Sequence, residues 1–132
     1  MGGVPYEYVV DYQFNVKAVL EQLRQDVFAS GEYHGAERKP KTPEKALEAA
    51  GEDGTRSILD ILRIAPEPDY CAAAPLTPDE YQRYFGTGKP TLDAIRDCDA
   101  LWEELERGMA RYVLAYEGNR PTKIVFVGYS FD

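Results

Sequence analysis

The C-terminal segment constrains the fold of this chain more than any other stretch of the sequence. Two runs rich in strand-forming residues, ARYVLAYE at positions 110–117 and KIVFVGYSF at positions 123–131, flank the short stretch GNRP. β-branched and aromatic residues favour strands, while Gly-Asn followed by Pro favours a tight reversal of the chain. The pattern therefore predicts a β-hairpin at the C-terminal end.

A further strand, followed by a helix, is predicted near the N-terminus. Between positions 6 and 13, tyrosine and valine alternate with mainly polar residues, which is the period-two pattern of a half-buried strand. Asn15 can cap a helix in which apolar residues recur at helical spacing as far as Val27, and Gly31 is a natural stop.

The middle of the chain predicts three more helices and one ambiguous element. Capping residues and apolar spacing indicate helices at 42–51, 77–86 and 91–107. SILDILRI, at positions 57–64, fits either a buried strand or two turns of helix, and its short length and isoleucine content favour the strand. The next stretch, APEPDYCAAAP, favours neither structure, because its prolines supply no N–H donors.

These elements predict a single α+β domain over residues 1–132. Its sheet is small and largely antiparallel, made of the N-terminal strand and the C-terminal hairpin, with residues 57–64 as a candidate fourth strand. About four helices are expected to pack on one face of this sheet.

The charge distribution argues against nucleic acid as a partner. Ten acidic and four basic side chains lie between positions 67 and 108, so this segment carries −6 of the net charge of −8. Such a field repels phosphate backbones. A basic protein partner fits the charge, and so does simple solubility.

The sequence predicts a cytoplasmic protein with no membrane segment. The N-terminal stretch lacks the basic start and apolar core of a secretory signal, and no apolar run approaches the roughly 20 residues needed to cross a bilayer. Cys71 and Cys98 lie far apart and form no CxxC pair, so neither a disulfide framework nor a zinc knuckle is predicted.

No motif in the chain assigns a reaction. FGTGKPT, at positions 85–91, differs from a phosphate-binding loop because Pro90 separates Lys89 from the threonine. His34 is the one histidine, and no serine lies in a GxSxG motif. We therefore predict no catalytic residue, no cofactor and no metal, and the sequence leans against an enzyme.

A loop with a local basic cluster is the first candidate binding element. SGEYHGAERKPK, at positions 30–41, contains the single histidine, whose imidazole can serve as acid, base or anion contact. The candidate ligand or anion residues of this loop and the next turn are Glu32, Tyr33, His34, Arg38, Lys39 and Arg56. The alternative is a solvated helix-helix linker that only steers the chain.

A charged helix and a tyrosine-rich sheet are the second candidate. On a helical wheel of 91–107, acidic residues flank the apolar arc on both sides, with Asp93, Asp97 and Glu104 on one flank and Asp99, Glu103 and Glu106 on the other. If the terminal strands are neighbours, their tyrosines form a recognition face. The candidate partner-binding residues are Asp93, Asp97, Glu104, Tyr8, Tyr12 and Tyr116. The alternative is that helices cover the tyrosine face.

Three functional hypotheses follow. The leading one is a small acidic interaction or inhibitor module that binds a basic partner protein. Bacterial immunity proteins and antitoxins are similarly small and acidic, an analogy of size and charge alone. The second is a small enzyme or ligand-binding protein with a site around His34, Glu32 and Arg38. The third is a self-associating structural protein whose terminal strand pairs across a homodimer.

Overall fold

The computed structural model describes residues 3–131, in which five strands and five helices are found. The strands are β1 (Pro5–Asp11), β2 (Arg63–Ile64), β3 (Ala72–Pro75), β4 (Ala110–Glu117) and β5 (Arg120–Tyr129). The helices are α1 (Val16–Ser30), α2 (Pro43–Ala50), α3 (Pro78–Phe85), α4 (Leu92–Arg96) and α5 (Asp99–Glu103). Short 3-10 turns cover Ala36–Arg38, Gly51–Asp53 and Ile58–Asp60.

The strands form one mixed sheet in the order β1-β5-β4-β3-β2. β5 pairs antiparallel with β1 on one side and β4 on the other, whereas β4 with β3, and β3 with β2, are parallel. The predicted hairpin is confirmed, and it turns at Gly118, whose φ of 63° favours glycine.

The α+β class is confirmed as well, and the longer pairings of the sheet are antiparallel. A single domain over residues 1–132 stays a prediction, since residues 1, 2 and 132 lie outside the described part of the chain.

Capping residues set both ends of α1 and the start of α3 where the sequence predicts them. Asn15 accepts a hydrogen bond from the Ala18 N–H at 3.2 Å, and α1 ends at Gly31 in the left-handed conformation. Thr77 and Glu80 form a reciprocal capping box at the start of α3. Local hydrogen bonding therefore determines these boundaries with little help from the rest of the fold.

The expected strand at 57–64 is wrong for most of its length. Ile58–Asp60 is a 3-10 turn, and only Arg63–Ile64 pairs as a strand. The Ser57 hydroxyl accepts a hydrogen bond from the Leu59 N–H at 3.1 Å, which closes the local turn instead of a ladder. The buried isoleucines of this segment fill the core from a turn, so their number did not indicate a strand.

The sequence did not predict β3, which lies inside APEPDYCAAAP, the stretch expected to form neither helix nor strand. Its three alanines, Ala72, Ala73 and Ala74, are all fully buried. Strands in parallel pairings are covered on both faces and so lack the alternation that identifies a half-buried strand. A short run of small apolar residues after several prolines carried too weak a signal.

The helices cover both faces of the sheet, so the expectation of four helices on one face is wrong. α1 and α2 pack on the face that includes Ile124 and Phe126, whereas residues of α3, α4 and α5 pack with Val125 and Val127. All four of these β5 side chains are at most 1% exposed. A strand that is apolar on both faces needs other elements packed on both faces. The apolar run of β5 was therefore the sequence signal for helices on both sides of the sheet.

The helix predicted at 91–107 is broken into α4 and α5. Cys98 takes an extended conformation between them and acts as the N-cap residue of α5. Ile95 and Leu101 are six residues apart, which in a continuous helix would separate them by about 120° around the axis. The break lets both side chains reach the core, where each is 1% exposed.

A nearly buried ion pair joins β4, β3 and α3. The Arg111 guanidinium donates to both carboxylate oxygens of Glu80, at 2.6 and 3.0 Å, and to the carbonyl oxygens of Ala74 and Pro75 at 3.3 and 2.8 Å. These hydrogen bonds hold the pKa of Glu80 below its usual range. Bidentate geometry of this kind is the strong form of an Arg-carboxylate contact.

We expect Arg111→Met to lower the free energy of unfolding by about 3 kcal/mol, because the Glu80 carboxylate and two strand carbonyls then lose their donor. Urea denaturation followed by circular dichroism measures the loss.

The matched control is Arg83→Met, which removes an Arg-Glu pair to Glu104 whose side chains are 57% and 50% exposed. Pairs at the surface contribute little, so this variant should unfold like the wild type. Equal losses in the two variants would contradict the central role of Arg111.

Candidate functional site

The predicted binding loop is docked on α2 and does not extend freely into solvent. Gly35 has a φ of 93°, and a Cβ added there would lie 3.2 Å from the Ala50 Cα, so the chain approaches α2 closely at this point. The Arg38 guanidinium donates to the Ala49 carbonyl oxygen. The side chain of Arg38 therefore fastens the loop to α2.

His34 is held at the junction of this loop and the turn that follows α2. Its backbone N–H donates to the Thr55 carbonyl oxygen at 2.7 Å. Its imidazole Nε2 lies 3.7 Å from the Asp53 Oδ2, and the imidazole is about one-third exposed. The imidazole is therefore accessible beside a carboxylate.

A buried hydrogen-bond network around Asp60 lies next to this junction. The Asp60 Oδ1 accepts hydrogen bonds from the Thr55 N–H at 2.6 Å and from the Thr55 hydroxyl at 2.8 Å. The Thr55 and Ser57 hydroxyls are 2.8 Å apart, and all three residues are fully buried. Gly54 packs directly on the carboxylate, because a Cβ there would lie 2.7 Å from the Asp60 Oδ2.

Thr55, Arg24 and His34 all influence the pKa of Asp60. Burial raises the pKa of Asp60, and this rise is partly offset by hydrogen bonds from Thr55 and by the positive charges of Arg24 and His34. The Arg24 side chain comes from α1 and donates to the carbonyl oxygens of Leu59, at 3.0 Å, and Ile61.

Tyr8 on β1 belongs to the same group of titratable residues. Burial raises the pKa of Tyr8, hydrogen bonds from the Ile58 N–H and the Ser57 hydroxyl lower it, and the charges of Asp60 and Glu32 raise it further. We call the five titratable residues around this junction the His34 cluster: Tyr8, Glu32, His34, Asp53 and Asp60.

Two buried polar atoms beside the cluster have no hydrogen-bond partner within residues 3–131. They are the Tyr6 hydroxyl and the Asp60 Oδ2. Tyr6 is 7% exposed, burial raises its pKa, and the Asp60 charge raises it further. The great majority of buried polar atoms in proteins form hydrogen bonds, so two such atoms without a hydrogen-bond partner are unusual.

The nucleophiles near the cluster are poorly suited to catalysis. Burial raises the pKa of the half-buried Cys71 thiol, and the negative charge of Asp60 acts in the same direction, so the thiolate is disfavoured. The Ser57 hydroxyl is buried and serves as the cap of the 3-10 turn at Ile58–Asp60. The arrangement is better suited to binding than to covalent catalysis.

The structure brings together only part of the predicted loop site. Glu32 and His34 belong to the His34 cluster, whereas Tyr33 stacks on Phe28 at 6.2 Å and packs against the core. Arg56 and Lys39 are exposed, both with left-handed φ angles.

Lys39 lies instead in a shallow groove on α2. The groove has a volume of about 390 Å³, and its lining includes three lysines, Lys39, Lys41 and Lys45. The sequence grouped Lys39 with His34, whereas the fold groups it with Lys41 and Lys45 at α2, and the role of these residues stays a prediction.

The second candidate site lies on the opposite side of the sheet, on α4 and α5. Glu104 is paired with Arg83 at 2.7 Å, so its charge is compensated. Five other exposed carboxylates form no salt bridge within the described residues, and we call them the α4–α5 acidic surface: Asp93, Asp97, Asp99, Glu103 and Glu106. Half-buried Trp102 lies in the same segment and contacts Tyr129 edge to face at 5.6 Å.

The predicted tyrosine face is largely covered. Tyr8 and Tyr12 are partly buried and pack against the core on the α1 side of the sheet. Tyr116 is half-buried at the end of β4, where its N–H donates to the Pro90 carbonyl oxygen at 2.8 Å. Their role in partner binding stays a prediction.

The chain matches no protein-family model, no curated protein and no solved structure. Within residues 3–131, no helix is long and apolar enough to cross a membrane. In the same residues, no group of three His, Cys, Asp or Glu side chains is placed to hold a metal ion. Function is therefore argued from the chemistry of the two sites.

We expect Asp60→Asn to change how stability depends on pH. Because the folded pKa of Asp60 is above its unfolded value of about 3.9, the folded state binds the proton more tightly. Stability from this group is therefore present at low pH and is lost as the pH rises through the folded pKa. The asparagine keeps an acceptor for Thr55 and carries no charge, so the variant should gain stability relative to the wild type as the pH rises above about 4.

Urea denaturation of both proteins between pH 4 and pH 8 measures this difference. Titrating groups that do not interact with Asp60 are the same in the two proteins, so their effects cancel. A difference in unfolding free energy that stays constant with pH would show that the buried carboxyl is not the source.

Proposed function

We propose that this protein is a binding module that takes a basic protein partner on its α4–α5 acidic surface. The observation that carries the proposal is the concentration of exposed carboxylates on α4 and α5. The carboxylates of Asp93, Asp97 and Asp99 are exposed and form no salt bridge among residues 3–131, whereas the groove of α2 with its three lysines and Glu48 belongs to the other side of the sheet. Keeping like charges together costs stability, and a complementary partner recovers that cost on binding.

The surface also contains a residue of the type that provides affinity. Trp102 on α5 is half-buried among Asp99, Glu103 and Glu106 in sequence, and aromatic residues at the centre of an interface commonly supply most of the binding energy. In this arrangement the carboxylates accelerate encounter and the indole provides contact area. If the surface covers a functional site of the partner, binding inhibits that partner.

The test reverses the surface charge without changing the core. We expect the triple variant Asp93→Lys, Asp97→Lys, Asp99→Lys to associate with the partner about tenfold more slowly or worse, because steering changes sign. Basic proteins that the immobilised wild type enriches from a lysate of the source cells are identified by mass spectrometry. Their association rates are then measured with purified proteins at several salt concentrations.

The matched control reverses three exposed carboxylates outside the surface: Glu48→Lys, Glu52→Lys and Glu117→Lys. This variant has the same net charge as the test variant and should bind like the wild type. Equal loss in both variants would mean that only net charge matters, and full binding by the test variant would place the contact elsewhere. Thermal unfolding of each variant verifies the fold.

A second candidate function is the binding of a small cationic ligand at the His34 cluster. It is favoured by the contact between the accessible His34 imidazole and the Asp53 carboxylate at 3.7 Å, with half-buried Tyr8 within electrostatic range of exposed Glu32. Carboxylate and phenol oxygens accept hydrogen bonds, so a small primary amine is the complementary ligand class.

For this candidate we expect small diamines and amino alcohols to shift the NMR signals of Tyr8 and His34 with a saturable dependence on concentration. Tyr8→Phe should weaken that binding about tenfold, the usual effect of losing a hydrogen bond to a charged group. Tyr70→Phe alters an exposed tyrosine outside the cluster and serves as control. Amines that shift neither signal, or bind equally to both variants, would exclude the cluster as an amine site.

A further inference from the structure

Among residues 3–131, no strand pairs with the outer edge of β1, so this edge presents a row of backbone hydrogen-bonding groups. The Tyr12 N–H donates to Thr122 and the Val4 carbonyl accepts from Ser130, both at 3.0 Å and both across the β1–β5 pairing. Backbone groups alternate sides along a strand, so the even-numbered residues of β1 face β5 and the odd-numbered ones face outward. Pro5 fits this pattern, because its missing N–H would be on the outward side.

The other free edges of the sheet are already protected. β2 has only two residues. β4 extends beyond β3, and there the Leu114 N–H donates to the Tyr81 hydroxyl at 3.0 Å and the Tyr116 N–H to the Pro90 carbonyl at 2.8 Å. Among the described residues, the seven-residue strand β1 is the one long edge without such cover.

We propose that β1 pairs antiparallel with β1 of a second copy, with the two-fold axis at Val9. This register places Val9 opposite Val9, and Glu7 opposite Asp11. It satisfies every outward N–H and C=O of these three residues, because antiparallel hydrogen-bonded pairs exchange both bonds. The two sheets become one continuous sheet, an isologous arrangement.

The side chains at the strand ends support the same register. Val4 and Phe14 are 38% and 91% exposed, and they precede and follow β1. A two-fold axis at Val9 brings Val4 of each copy level with Phe14 of the other. Two exposed apolar side chains are then removed from water by one another.

The charges on the strand do not oppose this pairing. Glu7 and Asp11 would face each other, and like charges directly opposite are destabilising. Each is compensated within its own chain, Glu7 by Arg96 at 3.6 Å and Asp11 by Lys123 at 2.5 Å. The edge is therefore close to neutral in a protein whose net charge is −8.

Hydrogen exchange of the backbone amides tests the inference, with the protein itself as probe. At low micromolar concentration the amides of Glu7, Val9 and Asp11 should exchange rapidly, and at several hundred micromolar they should become protected. The amides of Tyr8 and Val10 face β5 and should be protected at both concentrations, which provides an internal control. Sedimentation at the same concentrations gives the mass.

Two variants separate the edge from other dimer contacts. Val9→Pro removes an outward N–H but no β5 hydrogen bond, and it should weaken the dimer at least about tenfold. Phe14→Ser changes an exposed residue that the fold does not need and should weaken it too, whereas Tyr70→Ser, at another exposed aromatic, should not. A monomer at every concentration, or a dimer whose outward amides stay unprotected, would overturn the inference.

Discussion

The contact between Arg111 and Glu80 is the interaction on which the rest of the structure depends. β3 consists of three alanines and a proline, which bury little apolar area, so it needs more than its few ladder hydrogen bonds to stay beside β4. Arg111 supplies donors to the last two carbonyl oxygens of β3 and to the first turn of α3. This one guanidinium therefore ties α3 to the β3–β4 edge, and the Tyr81 hydroxyl, which accepts from the Leu114 N–H, adds a second tie.

Local patterns in the sequence predicted the elements better than their arrangement. The caps at Asn15 and Thr77 and the hairpin at Gly118 depend on neighbours in sequence, and all three were identified. The break at Cys98 and the helical layers on both faces depend on burial against distant residues. A helical wheel assumes a continuous helix, so it places Asp99 on the opposite flank from Asp93. In the structure Asp93 lies on α4 and Asp99 on α5, so the wheel does not describe their relative directions.

The candidate sites show the same limit. His34 and Glu32 were identified because charged loop residues are visible in the sequence, but Asp60 was read as part of an apolar run. The close spacing of Thr55, Ser57 and Asp60 was the available signal for this network. Small polar residues in a buried stretch need hydrogen-bond partners, and here they hydrogen-bond to one another. Tyr8 joins them only through the sheet, and no local pattern predicts that.

Charge compensation divides the surface into two parts with different physical roles. On β1 the acidic side chains are paired within the chain. This pairing leaves a nearly neutral edge, so the proposed second copy meets little electrostatic repulsion there. On α4 and α5 the exposed carboxylates of Asp93, Asp97, Asp99 and Glu103 form no salt bridge among residues 3–131, and the proposed function assigns them to a basic partner. The proposed dimer pairs through β1 and the proposed partner contact is on α4 and α5, so the two proposals use different residues. A dimer built this way presents two such surfaces, and if a partner has two basic sites within reach, binding gains from effective concentration without any new contact.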